Sequence, residues 1–149
     1  EGEIDQNILN DSSGRVYLIV SNQEIMKIGG SMSKGGIKAT LSFYISAMQG
    51  GPSQRSWCIH LLIEKELRKN NKVECWMIKN EKVDAQISGL KTTLTQKVAA
   101  FKESEDLCKK EYKEINNKFP PWNFQENHEE YPKDLTNLHR EHMSSRALR

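Results

Sequence analysis

Three residues of this chain, a tyrosine, a lysine and a late glutamate, are of types that can perform acid–base and metal-assisted chemistry. Tyr17 and Lys27 lie in two short apolar segments separated by a turn. A tyrosine, whose ordinary pKa is about 10, becomes a usable base only when a nearby cation lowers that pKa. Glu111 lies in a helical segment, and its carboxylate can hold Mg²⁺, which keeps several waters and needs few protein ligands.

A β-hairpin is the element that must position the tyrosine and the lysine. Its two segments are rich in β-branched and aromatic residues and are separated by a polar turn. A register that pairs Val16 with Ile28 collects the apolar side chains on one face of the sheet. The same register places Tyr17 directly opposite Lys27 on the other face. The predicted strands are residues 15–21 (RVYLIVS) and 24–28 (EIMKI).

The remaining segments predict helices and one further strand. Ser56 can cap a helix with an apolar stripe, and Pro120 and Pro121 must end the last long helix. The order is β-β-α-α-β-α, which indicates an α+β fold with a small three-stranded antiparallel sheet flanked by helices. The predicted ranges are a helix at 37–48, a helix at 56–70, a strand at 72–78, a helix at 83–118 and at most a short helix at 135–140.

The composition indicates a soluble globular protein with one core. Of 149 residues, 36% are hydrophobic and 28% are charged, and the net charge of +2 neither demands nor excludes nucleic acid. No segment approaches the roughly 20 apolar residues of a membrane helix, and the first residues lack the pattern of a signal peptide. Three cysteines without CxxC spacing favour a reducing cytoplasm. The predicted divisions are an arm at 1–13, a domain at 14–125 and a polar tail at 126–149.

Several short motifs resemble the GIY-YIG endonuclease superfamily. The tripeptide V-Y-L at 16–18 lies in the first strand, and K-I-G at 27–29 closes the second, with lysine where the family has a second tyrosine. The segment P-P-W-N at 120–123 begins nine residues after Glu111, which resembles the end of the family's last helix and its metal-binding glutamate. The resemblance covers about residues 14–125.

The resemblance implies a metal-dependent DNA endonuclease of restriction or phage type. Its cofactor would be Mg²⁺ or Mn²⁺, held by Glu111, and its substrate double-stranded DNA. One site per chain and two strands to cut imply a homodimer. The implied catalytic residues are Tyr17, Lys27, Lys38, Ala39, Tyr44, Glu111 and Asn123, and the implied DNA contacts are Arg15, Lys34, Arg55 and Trp57.

The chain departs from the family at the arginine that clamps the scissile phosphate from the first helix. The corresponding positions read Lys38-Ala39-Thr40. Either Lys38 substitutes as a point charge, which does not copy the arginine fork, or Ala39 replaces an original arginine. The missing arginine favours an alternative, a non-cleaving nucleic-acid-binding module of a larger protein. A third alternative is a helical scaffold, which rests on the predicted helix at 83–118.

Overall fold

The computed structural model describes residues 6–147, in which two antiparallel sheets and five helices form. The predicted α+β class and the three-stranded antiparallel sheet are confirmed. The first five residues of the predicted arm and the last two of the predicted tail lie outside the described residues. The elements in chain order are α1 (Gln6–Leu9), β1 (Gly14–Ser21), β2 (Glu24–Ser31), α2 (Gly36–Ile45), α3 (Gln54–Arg68), β3 (Val73–Asn80), β4 (Lys82–Ser88), β5 (Thr93–Ala99), α4 (Phe101–Asn116) and α5 (Lys133–Ala147).

The central strand of the larger sheet is β1, because the strand order is β2-β1-β3. Alternation along β1 sends Tyr17 and Ile19 to one face, where they pack with Tyr44 of α2 and Ile59 of α3. The opposite face is covered by α4, which lies against β1 and β2. The edge strand β2 is therefore the place at which the two helical layers meet.

The hairpin of β1 and β2 forms as predicted, but its register is shifted by a β-bulge. The predicted pairing of Val16 with Ile28 is wrong, and Val16 pairs with Gly30 instead. The shift occurs next to Ile19 and leaves Met26 as the extra residue of β2. A bulge inserts one residue into one strand only, so uniform alternation across the hairpin does not predict it.

The bulge also changes the partners of the tyrosine and the lysine. Tyr17 lies opposite Gly29 rather than Lys27, and Lys27 lies opposite Ile19. Tyr17 and Ile19 alternate on one face of β1, so Lys27 still shares a face with Tyr17. The two side chains are diagonal neighbours instead of a directly opposed pair.

A hairpin of β4 and β5 replaces the first half of the helix predicted at 83–118. Val83 and Ile87 are four residues apart, a spacing that fits one face of a helix and also one face of a strand. The paired register places Val83, Ile87 and Leu94 on one face and polar side chains on the other, and Gly89 donates a hydrogen bond to the Thr92 carbonyl to close the turn. The continuous helix behind the scaffold alternative is therefore absent.

The end of the chain is more ordered than predicted, because α5 extends from Lys133 to Ala147 and packs against α3. Leu135 is fully buried and contacts the core around Trp57. The prediction of at most a short helix is wrong because few apolar residues mark this contact in the sequence. The arm predicted as a loop contains the short helix α1. None of the helices within residues 6–147 is long and apolar enough to span a membrane.

The segment that follows α4 closes the free edge of β2. The Trp122 amide donates to the Met26 carbonyl at 2.8 Å. The Asn123 side chain accepts from the Ile28 amide at 2.9 Å and donates to the Ile28 carbonyl at 3.0 Å. Asn123 thus pairs with β2 as a neighbouring strand would, in a fully buried position.

Asn123→Ala tests this edge contact. The change leaves the amide and the carbonyl of Ile28 buried without partners, which costs about 2–4 kcal/mol in free energy of unfolding. Urea unfolding monitored by circular dichroism measures the loss. Asn116→Ala, at an exposed position at the end of α4, is the control and should change stability far less. Equal effects of the two changes would contradict the role of Asn123.

Candidate functional site

A polar cavity of about 270 Å³ opens at the edge of β2, between the two helical layers. Strands β1 and β2, helices α3 and α4 and the loop after α4 all contribute to its wall. A cavity lined by charges of both signs suits a charged and hydrated ligand better than an apolar one. Its charged residues are Lys27, Arg55, Lys102, Lys109, Glu105 and Glu126.

Two glycines of β2 let side chains from both layers approach the strand. A Cβ at Gly29 would overlap the phenol ring of Tyr17, and a Cβ at Gly30 would overlap the carboxylate of Glu105. Any side chain at these two positions would displace one of the two groups. The K-I-G-G sequence therefore brings a tyrosine from one face and a glutamate from the other to the same edge.

Tyr17 is paired with Tyr44 at the inner wall of the cavity. Their hydroxyl oxygens are 2.6 Å apart, and both side chains are buried. Burial raises the pKa of Tyr17, and the hydrogen bond from Tyr44 and the charge of Arg55 only partly oppose this rise. Burial likewise raises the pKa of Tyr44. Tyr17 therefore remains protonated near neutral pH and can orient a ligand as a hydrogen-bond partner, but it is not a base.

Lys27 is the group in the cavity that can accept a proton near neutral pH. Its side chain is buried, and among residues 6–147 no carboxylate lies within ion-pair distance of it. Burial lowers the pKa of Lys27 to about 8, and the charge of Arg55 contributes to the decrease. An appreciable fraction of this amine is therefore neutral at slightly alkaline pH.

The carboxylates of the cavity form a buried ionic cluster with Lys109. The Lys109 ammonium lies 2.6 Å from Glu105 and 2.7 Å from Glu126, and the exposed Lys102 lies 3.1 Å from Glu105. Burial alone would raise the pKa of Glu126, but the hydrogen bond and charge of Lys109, with hydrogen bonds from the Glu126 amide and the Asn123 side chain, outweigh it and hold the pKa at about 2. The pKa of Glu105 is lowered against burial in the same way, by Lys109 and Lys102.

The donor set of this cluster fits a magnesium-like cation. Glu126 Oε2 is buried without a hydrogen-bond partner, and the Glu105 carboxylate lies close by across Lys109. Two carboxylates with remaining water ligands suffice for Mg²⁺, whereas zinc normally takes three or four protein ligands. No group of three or more His, Cys, Asp or Glu side chains suited to a metal occurs within residues 6–147.

Arg55 reaches the cavity from the first turn of α3. Its guanidinium donates to Gln125 at 2.8 Å and also interacts with Tyr131. The side chain is exposed, so its remaining donors face solvent at the mouth of the cavity. A guanidinium in this position can bind an anionic oxygen with two parallel hydrogen bonds.

The cavity brings together three of the residues proposed from the sequence, and two more contact this group from outside its wall. Tyr17 and Lys27 were proposed as catalytic and Arg55 as a DNA contact, and all three line the cavity. Tyr44 and Asn123, also proposed as catalytic, do not line it: Tyr44 contacts the Tyr17 hydroxyl, and Asn123 pairs with the backbone of β2.

Glu111, proposed as the metal ligand, lies on the exposed side of α4 and does not line the cavity. It follows Glu105 by six residues, or about 1.7 helical turns, and so points to a different side of the helix. Glu105 was missed, although its spacing from Phe101, Cys108 and Tyr112 places it within the apolar stripe of α4. A charged residue inside an apolar stripe is the sequence signal that could have identified Glu105 as a candidate site residue.

The remaining proposed residues lie away from the cavity. Lys38 is exposed on α2, Ala39 packs near Gly35, and Lys34 is exposed in the preceding loop. Their side chains do not contribute to the cavity wall. The first turn of α2 therefore supplies no cation to this site.

Arg15 and Trp57 are buried, and the structure does not support their role as DNA contacts. The Arg15 guanidinium donates to the Ser13 and Ser33 carbonyls and to Thr40, and it joins β1 to the loop before α2. The Trp57 ring is enclosed by α5. Both side chains are occupied within the protein.

Comparisons with known proteins return one solved structure and leave the family open. No family model matches the chain, and no curated protein matches it. The chain is similar to the restriction endonuclease HPY188I in complex with product DNA, with 22% sequence identity and a TM-score of 0.41. The match covers 78% of this chain and 66% of that chain, so this chain spans slightly less than two thirds of that protein's length. A likeness of this extent assigns no activity.

Lys27→Met tests the buried cation through the pH dependence of stability. The folded lysine loses its proton above about pH 8, whereas the unfolded lysine keeps it up to its ordinary pKa of 10.5. Between these values the unfolded state binds more protons, so the contribution of this group to stability rises with pH. Below pH 8 the folded state carries the buried charge.

At pH 7 the variant should be more stable than the wild type by on the order of 3 kcal/mol, because the buried charge is absent. The advantage should shrink as the pH rises from 8 towards 10.5. Urea unfolding of both proteins at pH 7 and pH 10 measures it. An advantage that is the same at both values would show that Lys27 titrates normally.

Proposed function

We propose that this protein is a metal-dependent endonuclease of the GIY-YIG type that hydrolyses phosphodiester bonds of double-stranded DNA. The observation that carries the proposal is the polar cavity in which Lys27, Tyr17, Arg55 and Glu105 converge. Phosphodiester hydrolysis needs a proton acceptor for the attacking water and positive charge on the phosphate. The four side chains meet these needs within one cavity.

The attacking water is activated by Lys27 and oriented by Tyr17. The neutral amine of Lys27 is more populated near neutral pH than the phenolate of Tyr17, because the pKa of Lys27 is lowered while that of Tyr17 is raised. The Tyr17 hydroxyl, fixed by Tyr44, offers a hydrogen bond at the cavity wall. A bound Mg²⁺ or Mn²⁺, held by Glu105 and Glu126, would neutralise charge that develops on the leaving oxygen.

Arg55 binds the scissile phosphate in this proposal, because no residue in the first turn of α2 reaches the cavity. Neither Lys38 nor Ala39 reaches the cavity, whereas Arg55 enters it from α3. The planar guanidinium binds two oxygens of one phosphate, which a lysine ammonium does not reproduce. The absence of an arginine at positions 38–40 is therefore compatible with catalysis by this chain.

The assembly of the active protein is a homodimer in this proposal. Each chain carries one such cavity, and cleavage of both strands of a duplex needs two. Double-stranded DNA is the partner, and the cytoplasm remains the predicted compartment.

A second candidate function is a non-cleaving nucleic-acid-binding module. Lys109 favours it, because its ammonium already lies between the two carboxylates that would hold the metal. A plasmid-nicking assay with Mg²⁺ or Mn²⁺ separates the two functions. Cleavage by the wild type supports the nuclease, and binding without cleavage at any metal concentration supports the module.

Glu105→Gln should abolish nicking, because it removes a carboxylate that would hold the metal. Glu111→Gln, on the exposed side of the same helix, is the matched control and should retain nearly full activity. Nicking of supercoiled plasmid measures both variants, and fluorescence anisotropy checks that both still bind DNA. Loss of nicking in Glu111→Gln with activity kept in Glu105→Gln would return the metal role to Glu111.

Arg55→Lys should slow nicking by about 100-fold, because an ammonium does not copy the bidentate hydrogen bonds of the guanidinium to phosphate. Lys38→Ala should leave the nicking rate within about twofold, since loss of an exposed lysine mainly weakens nonspecific attraction to DNA. Single-turnover rates at saturating enzyme separate the chemical step from binding. A large loss in Lys38→Ala alone would place the phosphate clamp on α2.

A further inference from the structure

The Lys109 ammonium lies between two carboxylates. It lies 2.6 Å from Glu105 Oε1 and 2.7 Å from Glu126 Oε1. The side chains of Lys109 and Glu105 are only 11% and 8% exposed, and that of Glu126 is 22% exposed. Within residues 6–147, each other ion pair, such as Lys65 with Asp134, has at least one partner whose side chain is more than half exposed.

Burial explains why a cation is required at this point. Two carboxylates that are removed from water repel each other and lose hydration, so they need a positive charge between them. Removal of one partner from a buried ionic cluster is strongly destabilising, because the remaining charges stay uncompensated. Lys109 meets this requirement through the i, i+4 spacing on α4 that joins it to Glu105.

The loop after α4 holds Glu126 in place from the other side. Asn127 accepts from the Phe119 amide and donates to the Pro120 carbonyl, and Asn123 is fixed on β2. Both neighbouring parts of the loop are thus anchored independently of Lys109. Glu126 therefore presents its carboxylate to α4, with Oε2 buried and without a partner.

We propose that the Lys109 ammonium occupies the cation position of the active site, and that a divalent cation binds to Glu105 and Glu126 by displacing it. The choice of a divalent metal as the incoming cation rests on the proposed nuclease function. The competition between that cation and the Lys109 ammonium for the two carboxylates does not. Lys109 has a flexible four-carbon stem, and the next residues of α4, Lys110 and Glu111, are exposed, so the ammonium can move towards solvent. Glu126 becomes a metal ligand by this inference.

The displacement makes the metal affinity of the free protein weak. A cation that enters must break two buried ion pairs, whereas the same carboxylates without Lys109 would bind it directly. A DNA phosphate in the cavity supplies further oxygen ligands, as substrate phosphates commonly do for Mg²⁺. DNA and the divalent cation should therefore each increase the affinity of the protein for the other. Without DNA, the Lys109 ammonium keeps the cation position occupied.

Binding of Mn²⁺ to the full chain without DNA tests the displacement, with free Mn²⁺ followed by electron paramagnetic resonance. Lys109→Met should bind Mn²⁺ about tenfold or more tightly than the wild type, because no ammonium competes for the carboxylates. Lys110→Met is the matched control: it removes one exposed lysine from the same helix, 3.8 Å from Glu114, and should stay within about twofold of the wild type. Equal affinities of Lys109→Met and the wild type would overturn the proposal.

Folding of the variants provides a second readout. Without metal, Lys109→Met should have a lower Tm than the wild type, and millimolar Mn²⁺ should raise its Tm by more than it raises that of the wild type. Lys109→Gln, which keeps a hydrogen-bond donor, covers the case in which the methionine variant does not fold. The inference would be overturned if the variants bound Mn²⁺ no more tightly than the wild type and gained no more in Tm from it. The cation would then not substitute for the ammonium.

The site itself is checked by Glu126→Gln in the Lys109→Met background. This change should lower Mn²⁺ affinity again, whereas an unchanged affinity would remove Glu126 from the metal site and contradict the displacement. These measurements use no DNA and no cleavage. A protein that fails to nick DNA but follows the Mn²⁺ expectations would disprove the nuclease function and leave the displacement standing.

Discussion

The pairing of Asn123 with the backbone of Ile28 is the interaction on which the rest of the site depends. An edge strand presents amides and carbonyls that need partners, and here one buried side chain supplies both. Ile28 lies between Lys27 and Gly29, so the contact fixes the strand at the point where the lysine and the tyrosine meet. Glu126 follows three residues after Asn123 and is positioned by the same anchor.

The charged groups of the cavity set one another's pKa values. Lys27 is buried close to Arg55, and the pKa of Lys27 decreases as a result of burial and of that neighbouring charge. Lys109 is buried between carboxylates, and its pKa is raised despite burial by the hydrogen bonds and charges of Glu105 and Glu126. The pKa of Lys27 is thus lowered and that of Lys109 is raised, which suits Lys27 as a proton acceptor and keeps Lys109 charged.

Much of the fold could be predicted from local patterns, and the errors have physical causes. The strands β1 and β2 and the helix α3 carry strong local signals, whereas no local pattern marks Met26 as the extra residue of the bulge. The spacing of Val83 and Ile87 fits a helix and a strand equally well. The periodicity of residues 83–118 therefore predicts one long helix, although the segment forms the hairpin of β4 and β5 followed by the helix α4.

The same limits apply to the candidate site. Tyr17, Lys27 and Asn123 were identified because they lie in or beside short motifs with fixed spacing. Glu111, predicted as the metal ligand, lies on the exposed side of α4 away from the cavity, because spacing from Pro120 does not determine which side of a helix faces the sheet. Glu105 and Glu126 meet only through the loop that returns to β2, which is a contact between distant segments.

The proposed nuclease function requires the cavity at the edge of β2 to hold the catalytic metal. Anomalous diffraction from crystals grown with Mn²⁺ and a short DNA duplex would locate that metal. We expect a manganese peak in contact with the carboxylates of Glu105 and Glu126, with a phosphate beside Arg55 and Lys27. A peak at Glu111, or a duplex bound away from this cavity, would contradict it.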